Sequence, residues 1–144
     1  MPIFWRPQLK IGHEDIDADH RYLILLINTV ELVLRFPENP QHVEAALDEL
    51  HHYAEHHFER EEKIQIAWGY RHLDDHKNEH RKLMEALEAL MGRVKLALAD
   101  PSSGPDTIKA QSQDITGFLR KWLVDHVLKS DMQMSDMFKK PHIT

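Results

Sequence analysis

Apolar residues recur at intervals of three and four along most of the chain, whereas alternation of apolar and polar residues is almost absent. The first pattern is typical of helices that bury one face, and the second of strands. The spacing of three and four predicts four long helices, at about residues 17–36, 40–68, 73–99 and 105–130. Helices joined by short links favour an all-α, antiparallel up-down-up-down four-helix bundle, although other all-α folds share the pattern.

Residues that cap or stop helices mark the predicted boundaries. Asp17 is expected to cap the first helix and Pro37 to stop it. Asn39 followed by Pro40 is the order that opens many helices. Gly69 is suited to the end of the second helix, because glycine readily adopts the left-handed conformation found there.

The segments outside the helices are an arm, a loop and a tail. Residues 1–16 form an N-terminal arm that carries Trp5, Leu9 and Ile11. The polar stretch at 99–106 predicts a loop long enough to be mobile. The short C-terminal tail has the spacing of one more short helix, through Met132, Met134, Met137 and Phe138. The length of 144 residues fits a single domain over 1–144.

Each predicted helix turns an apolar stripe toward the core, and each stripe carries at least one histidine. The stripe of the second helix also carries a glutamate. The candidate metal ligands are therefore His20, His57, Glu61, His76, His80 and His126. Because neighbouring helices run in opposite directions, these positions meet at one end of the bundle. Burying them is costly unless each finds a partner. A metal ion resolves this, because it binds neutral imidazole and ionised carboxylate together.

The chain has 12 histidines, and seven of them are not assigned to this cluster. An outward-facing stripe of the second helix contains His52, His56, Glu59 and Lys63. Also off the inner stripe are His51 and Glu55. Surface positions are expected for His13, His42 and His142. The role of His72, which is close to the cluster in sequence, stays open.

Composition excludes several classes of protein. The absence of cysteine excludes disulfides, thiolate nucleophiles, iron–sulfur clusters and cysteine-bound zinc. A net charge of −6 without a basic run argues against a nucleic-acid partner. No apolar run approaches the ~20 residues of a membrane span, and the N-terminus lacks the order of a signal peptide. We therefore expect a cytoplasmic protein without membrane insertion.

The order and spacing of the cluster resemble those of a known family. The pattern of this family is a lone histidine early in the first helix, followed along the chain by the motifs HxxxE, HxxxH and HxxxxD. The matching residues are His20, His57 and Glu61, His76 and His80, and His126 and Asp131. Matches also surround them, among them Trp5, Gly12, Asn28 and Tyr70. On these residues the chain resembles the bacteriohemerythrins, the single-domain members of the hemerythrin family.

The resemblance implies a non-haem di-iron site that binds O2 reversibly. One iron would be held by His76, His80 and His126. The other iron would be held by His20 and His57. Glu61 and Asp131 would bridge the ions, with a solvent-derived oxo or hydroxo group as the third bridge. The iron with two histidines would keep an open position for O2.

Asp131 is the one implied ligand that helical periodicity does not find. It follows His126 by five residues, which places it about 140° around an ideal helix. It can reach the site only if the fourth helix widens or ends there. Its assignment therefore depends mainly on the resemblance.

An oxygen pocket beside the irons should be apolar. The residues expected to line it are Phe58, Trp122, Leu123 and Ile27, although ordinary core packing explains them equally well. Two positions depart from the family pattern. Gln65 stands where methionine is common, and Arg71 stands where proline often follows the tyrosine. A glutamine near the site would change the polarity of the pocket, and with it O2 affinity and autoxidation.

Three functions are consistent with such a site. The favoured one is reversible O2 binding by a monomeric carrier, store or delivery protein that is not an enzyme. The second is an O2 or redox sensor acting through a separate protein, since the chain ends soon after Asp131. The third is a di-iron oxidase or peroxide-consuming enzyme. Ferritin-like enzymes carry Glu-x-x-His motifs on two helices, whereas only Glu49-x-x-His52 occurs here. The partners implied are an oxygen-consuming enzyme or a signalling protein.

Overall fold

The computed structural model describes residues 2–36, 39–102 and 104–139. Its long helices are α1 (Glu14–Leu34), α2 (Pro40–Trp68), α3 (Leu73–Ala99) and α4 (Gly104–Lys129). Short elements flank them, namely the 3-10 helix Pro7–Leu9, the 3-10 helix Asp131–Met134 and the one-turn helix α5 (Ser135–Phe138). Within the described ranges there is no strand, so the predicted all-α class is confirmed.

The four long helices pack as a ring in which α1 and α3 each contact both α2 and α4. Short connections make successive helices antiparallel, which is the predicted bundle. Each helix contributes a leucine with no exposed surface to the core, namely Leu23, Leu50, Leu87 and Leu119. The inner stripes that carry these leucines also carry the histidines, so core packing fixes where the histidines lie.

The ends of α2 and α3 coincide with the predicted bounds. Gly69 follows α2 in the left-handed conformation, with φ of +70°, which a residue with a side chain rarely adopts. This conformation lets the N–H of Tyr70 donate to the carbonyl of Gln65 at 2.9 Å. Gly69 therefore ends α2 as expected, and the chain turns directly into α3.

The first helix begins earlier than predicted, and Asp17 is not its cap. The N-cap is His13, whose Nδ1 accepts from the N–H of Asp15 at 3.2 Å. The carboxylate of Asp17 instead accepts from the N–H of Ile11 at 2.7 Å and from that of Gly12 at 3.1 Å. The Asp17 side chain thus accepts from backbone N–H groups of the arm. The sequence pattern alone does not distinguish this role from that of a helix cap.

The other differences from the predicted bounds are small. α1 ends at Leu34, and the N–H of Arg35 donates a hydrogen bond to the carbonyl of Leu32 at 3.2 Å. Pro37, the expected stop, lies outside the described residues. α4 begins at Gly104, one residue earlier than predicted, which shortens the predicted loop at its α4 end, whereas α3 ends at Ala99 as predicted. The mobility of this loop stays a prediction.

The arm and the tail are tied to the bundle by specific contacts. Asn28 pairs with the backbone of Ile3, accepting from its N–H and donating to its carbonyl, both at 2.8 Å. In the tail Met134 is completely buried. The ring of Phe138 lies against those of Trp68 and His13, with centroids 5.0 and 5.1 Å away. The predicted tail helix therefore has a defined packing site.

Helices long and apolar enough to cross a membrane are absent from the described ranges. The monomeric state and the cytoplasmic location expected from the sequence stay predictions.

Replacing Asp17 with alanine is expected to destabilise the protein by about 2 kcal/mol, because it strands a buried backbone donor of the arm. Thermal unfolding followed by circular dichroism measures the loss. Asp15→Ala is the matched control, since Asp15 is acidic, exposed and in the same turn. Equal stability of the two variants would contradict the assigned role of Asp17.

Candidate metal centre

Seven buried side chains meet inside one end of the bundle, and they are the seven candidates from the sequence. They are His20, His57, Glu61, His76, His80, His126 and Asp131. α1 and α4 contribute one histidine each, α2 a histidine and a glutamate, and α3 two histidines. Asp131 reaches the cluster because α4 ends at Lys129 and a 3-10 helix follows. This is the change of helix geometry that its position in the sequence requires.

The donor atoms form two overlapping groups, each compact enough to surround one metal ion. The larger group contains Glu61, His76, His80, His126 and Asp131. The smaller one contains His20, His57, Glu61 and Asp131. Within each group the donor atoms lie within 4.8 Å of one another. The two carboxylates are the only residues that belong to both groups.

Glu61 directs its two oxygens to different groups. Its Oε1 lies 2.8 Å from Nε2 of His76 and 3.1 Å from Nε2 of His80. Its Oε2 lies 3.1 Å from Nε2 of His57 and 3.6 Å from Nε2 of His20. The carboxylate therefore spans the two groups, as a bridging ligand does.

Asp131 has the same arrangement. Its Oδ1 lies 2.8 Å from Nε2 of His76 and 3.0 Å from Nε2 of His126. Its Oδ2 lies 3.0 Å from Nε2 of His20. Both carboxylates thus face the three-histidine group with one oxygen and the two-histidine group with the other.

Several donor atoms at the centre of the cluster are buried and have no hydrogen-bond partner within the ranges that the structure describes. They are Nε2 of His20, His57 and His126, Oε2 of Glu61 and Oδ2 of Asp131. Buried polar atoms are normally satisfied, and a cation among them would satisfy all of these. The donors are imidazole and carboxylate without thiolate, which suits divalent transition metals. The residues therefore fit a pair of metal ions.

Opposite charges within the cluster shift its pKa values. Burial alone would lower the pKa of a histidine, but the two carboxylates outweigh it. They raise the pKa of His20 and of His76 to about 9, and that of His126 to about 10. Burial would likewise raise the pKa of Glu61, yet His57 and its neighbours hold it well below the usual range.

Three of the five imidazoles have a carboxylate on their outer nitrogen. The Nδ1 atoms of His57, His80 and His126 lie 2.9, 2.7 and 2.8 Å from Asp19, Glu62 and Glu79, respectively. Such contacts fix the tautomer and orientation of a metal-binding histidine, leaving Nε2 free for the metal. None of these three carboxylates is among the candidates from the sequence. Each is the immediate sequence neighbour of a candidate, and this adjacency is the signal that could have found them.

The expected pocket residues lie on different sides of the cluster. Phe58 stacks on His80, with ring centroids 4.1 Å apart, and the Trp122 ring lies beside Phe58 at 6.2 Å. Leu123 lines a small, mostly apolar cavity together with His20 and Trp5 of the arm. Ile27 is buried in the core. Of the four, only Leu123 lines the cavity at the two-histidine group.

The other histidines that the structure describes belong to neither donor group. Exposed positions are occupied by His42, His52, His56 and His72. His51 is partly buried and pairs with Glu88 at 3.3 Å. His13 is not a plain surface residue, because it is half-buried and caps α1. His142 lies outside the described residues.

The two departures from the family pattern have different surroundings. Arg71 is exposed. Gln65 is completely buried, one turn after Glu61 on α2. Its amide donates to the sulfur of Met134 at 3.1 Å, whereas its Oε1 has no hydrogen-bond partner among the described residues. Gln65 therefore carries the cost of an unsatisfied buried acceptor.

Gln65→Met is expected to stabilise the protein by about 1 kcal/mol, because it removes that acceptor while nearly keeping the side-chain volume. Thermal unfolding of the metal-free protein measures the gain, and Gln133→Met, at a position in the tail, is the comparison. A lower midpoint for Gln65→Met would mean that the Oε1 atom has a partner in solution.

The helical bundle and its buried histidine–carboxylate cluster define a metal-binding bundle protein. The family model described as the hemerythrin HHE cation binding domain matches residues 11–138. The chain belongs to the hemerythrin family, as its sequence resemblance predicts.

Known relatives agree with this assignment. The bacteriohemerythrin of Clostridium acetobutylicum is 26% identical over 135 residues, covering 92% of this chain and 98% of that protein. The bacteriohemerythrin of Stenotrophomonas maltophilia is 26% identical over 137 residues, covering 95% and 82%. A crystal structure of a leucine-to-phenylalanine mutant protein has a TM-score of 0.79 at 24% identity, covering 97% of this chain and 100% of that one. That similarity concerns the fold.

Proposed function

We propose that the cluster holds two iron ions and that the protein binds O2 reversibly there. His76, His80 and His126 would hold one ion, and His20 and His57 the other. Glu61 and Asp131 would bridge them, together with an oxo or hydroxo group from solvent. The observation that carries this proposal is the arrangement of the two carboxylates, each with one oxygen toward each histidine group.

The donor geometry supports two ions rather than one, because the seven side chains form two groups that share the two carboxylates. Two buried carboxylates offset part of the charge of two divalent cations, and the neutral imidazoles complete the donor sets without adding charge. Membership of the hemerythrin family favours iron among the metals that such donors accept. Bound iron would supply the electrons that O2 takes up and returns on release.

Unequal donor numbers support O2 binding at one ion. The smaller group has one histidine fewer than the larger one, which leaves room for an external ligand at the ion held by His20 and His57. The apolar cavity lined by Leu123 reaches His20. Apolar walls admit O2 and disfavour water and anions, so they would favour reversible binding over release of reduced oxygen from oxidised iron.

We also propose that binding, rather than catalysis, is the function. The lining of the cavity beside His20 includes Leu123, Ile24 and Val127, whose apolar side chains offer no acid or base to a bound molecule. Phe58, Trp122 and Ile27 would complete the apolar surroundings of the two ions. The curated relatives named above are bacteriohemerythrins.

Metal analysis and the visible spectrum test this function together. We expect two irons per chain, a nearly colourless reduced protein, and a band that forms in air and disappears under vacuum. Less than one iron per chain after reconstitution would refute the site. Immediate, irreversible oxidation by air would refute reversible binding and favour a redox sensor or an oxidase.

A further inference from the structure

The three outer carboxylates of the metal centre differ in what neutralises them. Asp19, Glu62 and Glu79 contact the outer nitrogens of His57, His80 and His126 at similar distances. Asp19 also pairs with a cation, Arg60. In the described part of the chain, Glu62 and Glu79 have no lysine or arginine within ion-pair distance.

Asp19 is held by two further side chains besides His57. The guanidinium of Arg60 donates through Nε to Oδ2 at 3.0 Å and through an NH2 group to Oδ1 at 2.8 Å. The hydroxyl of Tyr53 donates to Oδ1 at 2.6 Å. The Arg60 guanidinium also lies over the Tyr53 ring, 5.3 Å from its centroid. Both oxygens of Asp19 are therefore occupied by donors other than the histidine.

A carboxylate at the outer nitrogen of a metal-bound histidine draws on its N–H proton and makes the ring a stronger electron donor. A cation that shares the carboxylate weakens this effect, because it takes up part of the negative charge. His80 and His126 contact carboxylates without such a cation, whereas His57 contacts a compensated one. The other histidine of the smaller group, His20, has a buried Nδ1 without a hydrogen-bond partner in the described part of the chain.

We propose that Arg60 is a positioning residue that makes the two metals unequal. It holds Asp19 against His57 while limiting the electron donation of His57, so the ion held by His20 and His57 is the more easily reduced of the pair. This inference rests on the proposed di-iron function. For an O2-binding protein, the consequence is that the ion with the open position keeps its electron longer, and autoxidation is slower.

Zinc-loaded protein provides the first test, because zinc is diamagnetic and has no redox chemistry. The Nδ1 protons of His57, His80 and His126 are measured by NMR in the unchanged protein and in Arg60→Gln. We expect the His57 proton to move downfield, because Asp19 without Arg60 accepts it more strongly. The His80 and His126 protons serve as internal controls and should stay in place. Equal shifts at all three, or none at His57, would overturn the proposal.

The reduction potential of the iron-loaded protein provides the second test. Arg60→Gln should lower the potential and speed autoxidation by about tenfold, within the range that outer contacts of metal ligands control. Arg60→Lys should restore most of the potential, because it returns the charge. Tyr53→Phe should have a smaller effect than Arg60→Gln, because it removes a donor but no charge.

A control variant separates this inference from the function on which it rests. Arg81→Gln removes an arginine that pairs with Glu85 on the surface of α3, and it should change neither measurement. If the unchanged protein fails to bind two metals, the proposed function fails. If it binds two metals and Arg60→Gln behaves like Arg81→Gln, only the role of Arg60 is refuted. Lower metal content without rescue by Arg60→Lys would assign Arg60 a purely structural role.

Discussion

Replacing His57 with alanine is expected to reduce the iron content from two ions per chain to one or none. His57 belongs to the smaller donor group, in which only one other histidine, His20, is present. Without it, one imidazole and two shared carboxylates remain for that ion, and the loss of a bridged neighbour weakens the other. Iron is measured by elemental analysis after reconstitution, and circular dichroism checks that the bundle is folded.

His52→Ala is the matched control for this experiment. His52 is a histidine on the same helix, but it is exposed and faces away from the cluster. The variant should keep both irons, since neither donor group includes it. Iron loss in His52→Ala, or full iron content in folded His57→Ala, would contradict the assignment of the inner face of α2.

The stability of the metal-free protein is expected to fall between about pH 7 and pH 10. Burial opposes charge on the cluster histidines, but the carboxylates raise the pKa of His20 and His76 to about 9 and that of His126 to about 10. An unfolded histidine has a pKa of about 6.5. The protonated rings therefore stabilise the folded state fully below pH 6.5, and this contribution disappears as pH rises through 9 to 10.

The stability of the metal-loaded protein should change little over the same range, because a growing gain from metal binding offsets the loss seen without metal. A metal ion must displace the protons on these imidazoles, so its apparent affinity rises with pH, about tenfold per pH unit for each proton displaced. Thermal midpoints with and without metal, from pH 6 to 10, measure both trends. Parallel trends would mean that the metal does not bind at these histidines.

The inner face of each helix could be predicted from the sequence because packing follows the helix period closely. Leu23, Leu50, Leu87 and Leu119 were on the predicted stripes and are buried. The candidate histidines follow the same rule, since a side chain one turn from a buried leucine points into the core as well. The second helix shows where the rule loses accuracy. Ile64, three residues after Glu61, is only partly buried, whereas Gln65, four residues after Glu61, is buried completely.

The rest of the centre could not be predicted from periodicity, for two physical reasons. Asp131 lies beyond the end of α4, where the backbone no longer has the helix period, so only the family pattern identified it. Asp19, Glu62 and Glu79 sit beside the stripe and reach the outer nitrogens through their side chains. Such contacts depend on side-chain reach between neighbouring helices, and a single sequence carries no direct signal for Arg60 as the partner of Asp19.

The attachment of Asp131 has a consequence for how the centre can open. Six of the seven donors lie on long helices, whereas Asp131 lies on a four-residue 3-10 helix that is anchored by Met134 and the packing of Phe138. Short segments with few buried contacts open locally at lower cost than whole helices. Local unfolding of this segment would withdraw one bridging carboxylate and leave the bundle folded. We therefore expect metal release to precede global unfolding, with faster amide hydrogen exchange at residues 131–138 than in the four long helices.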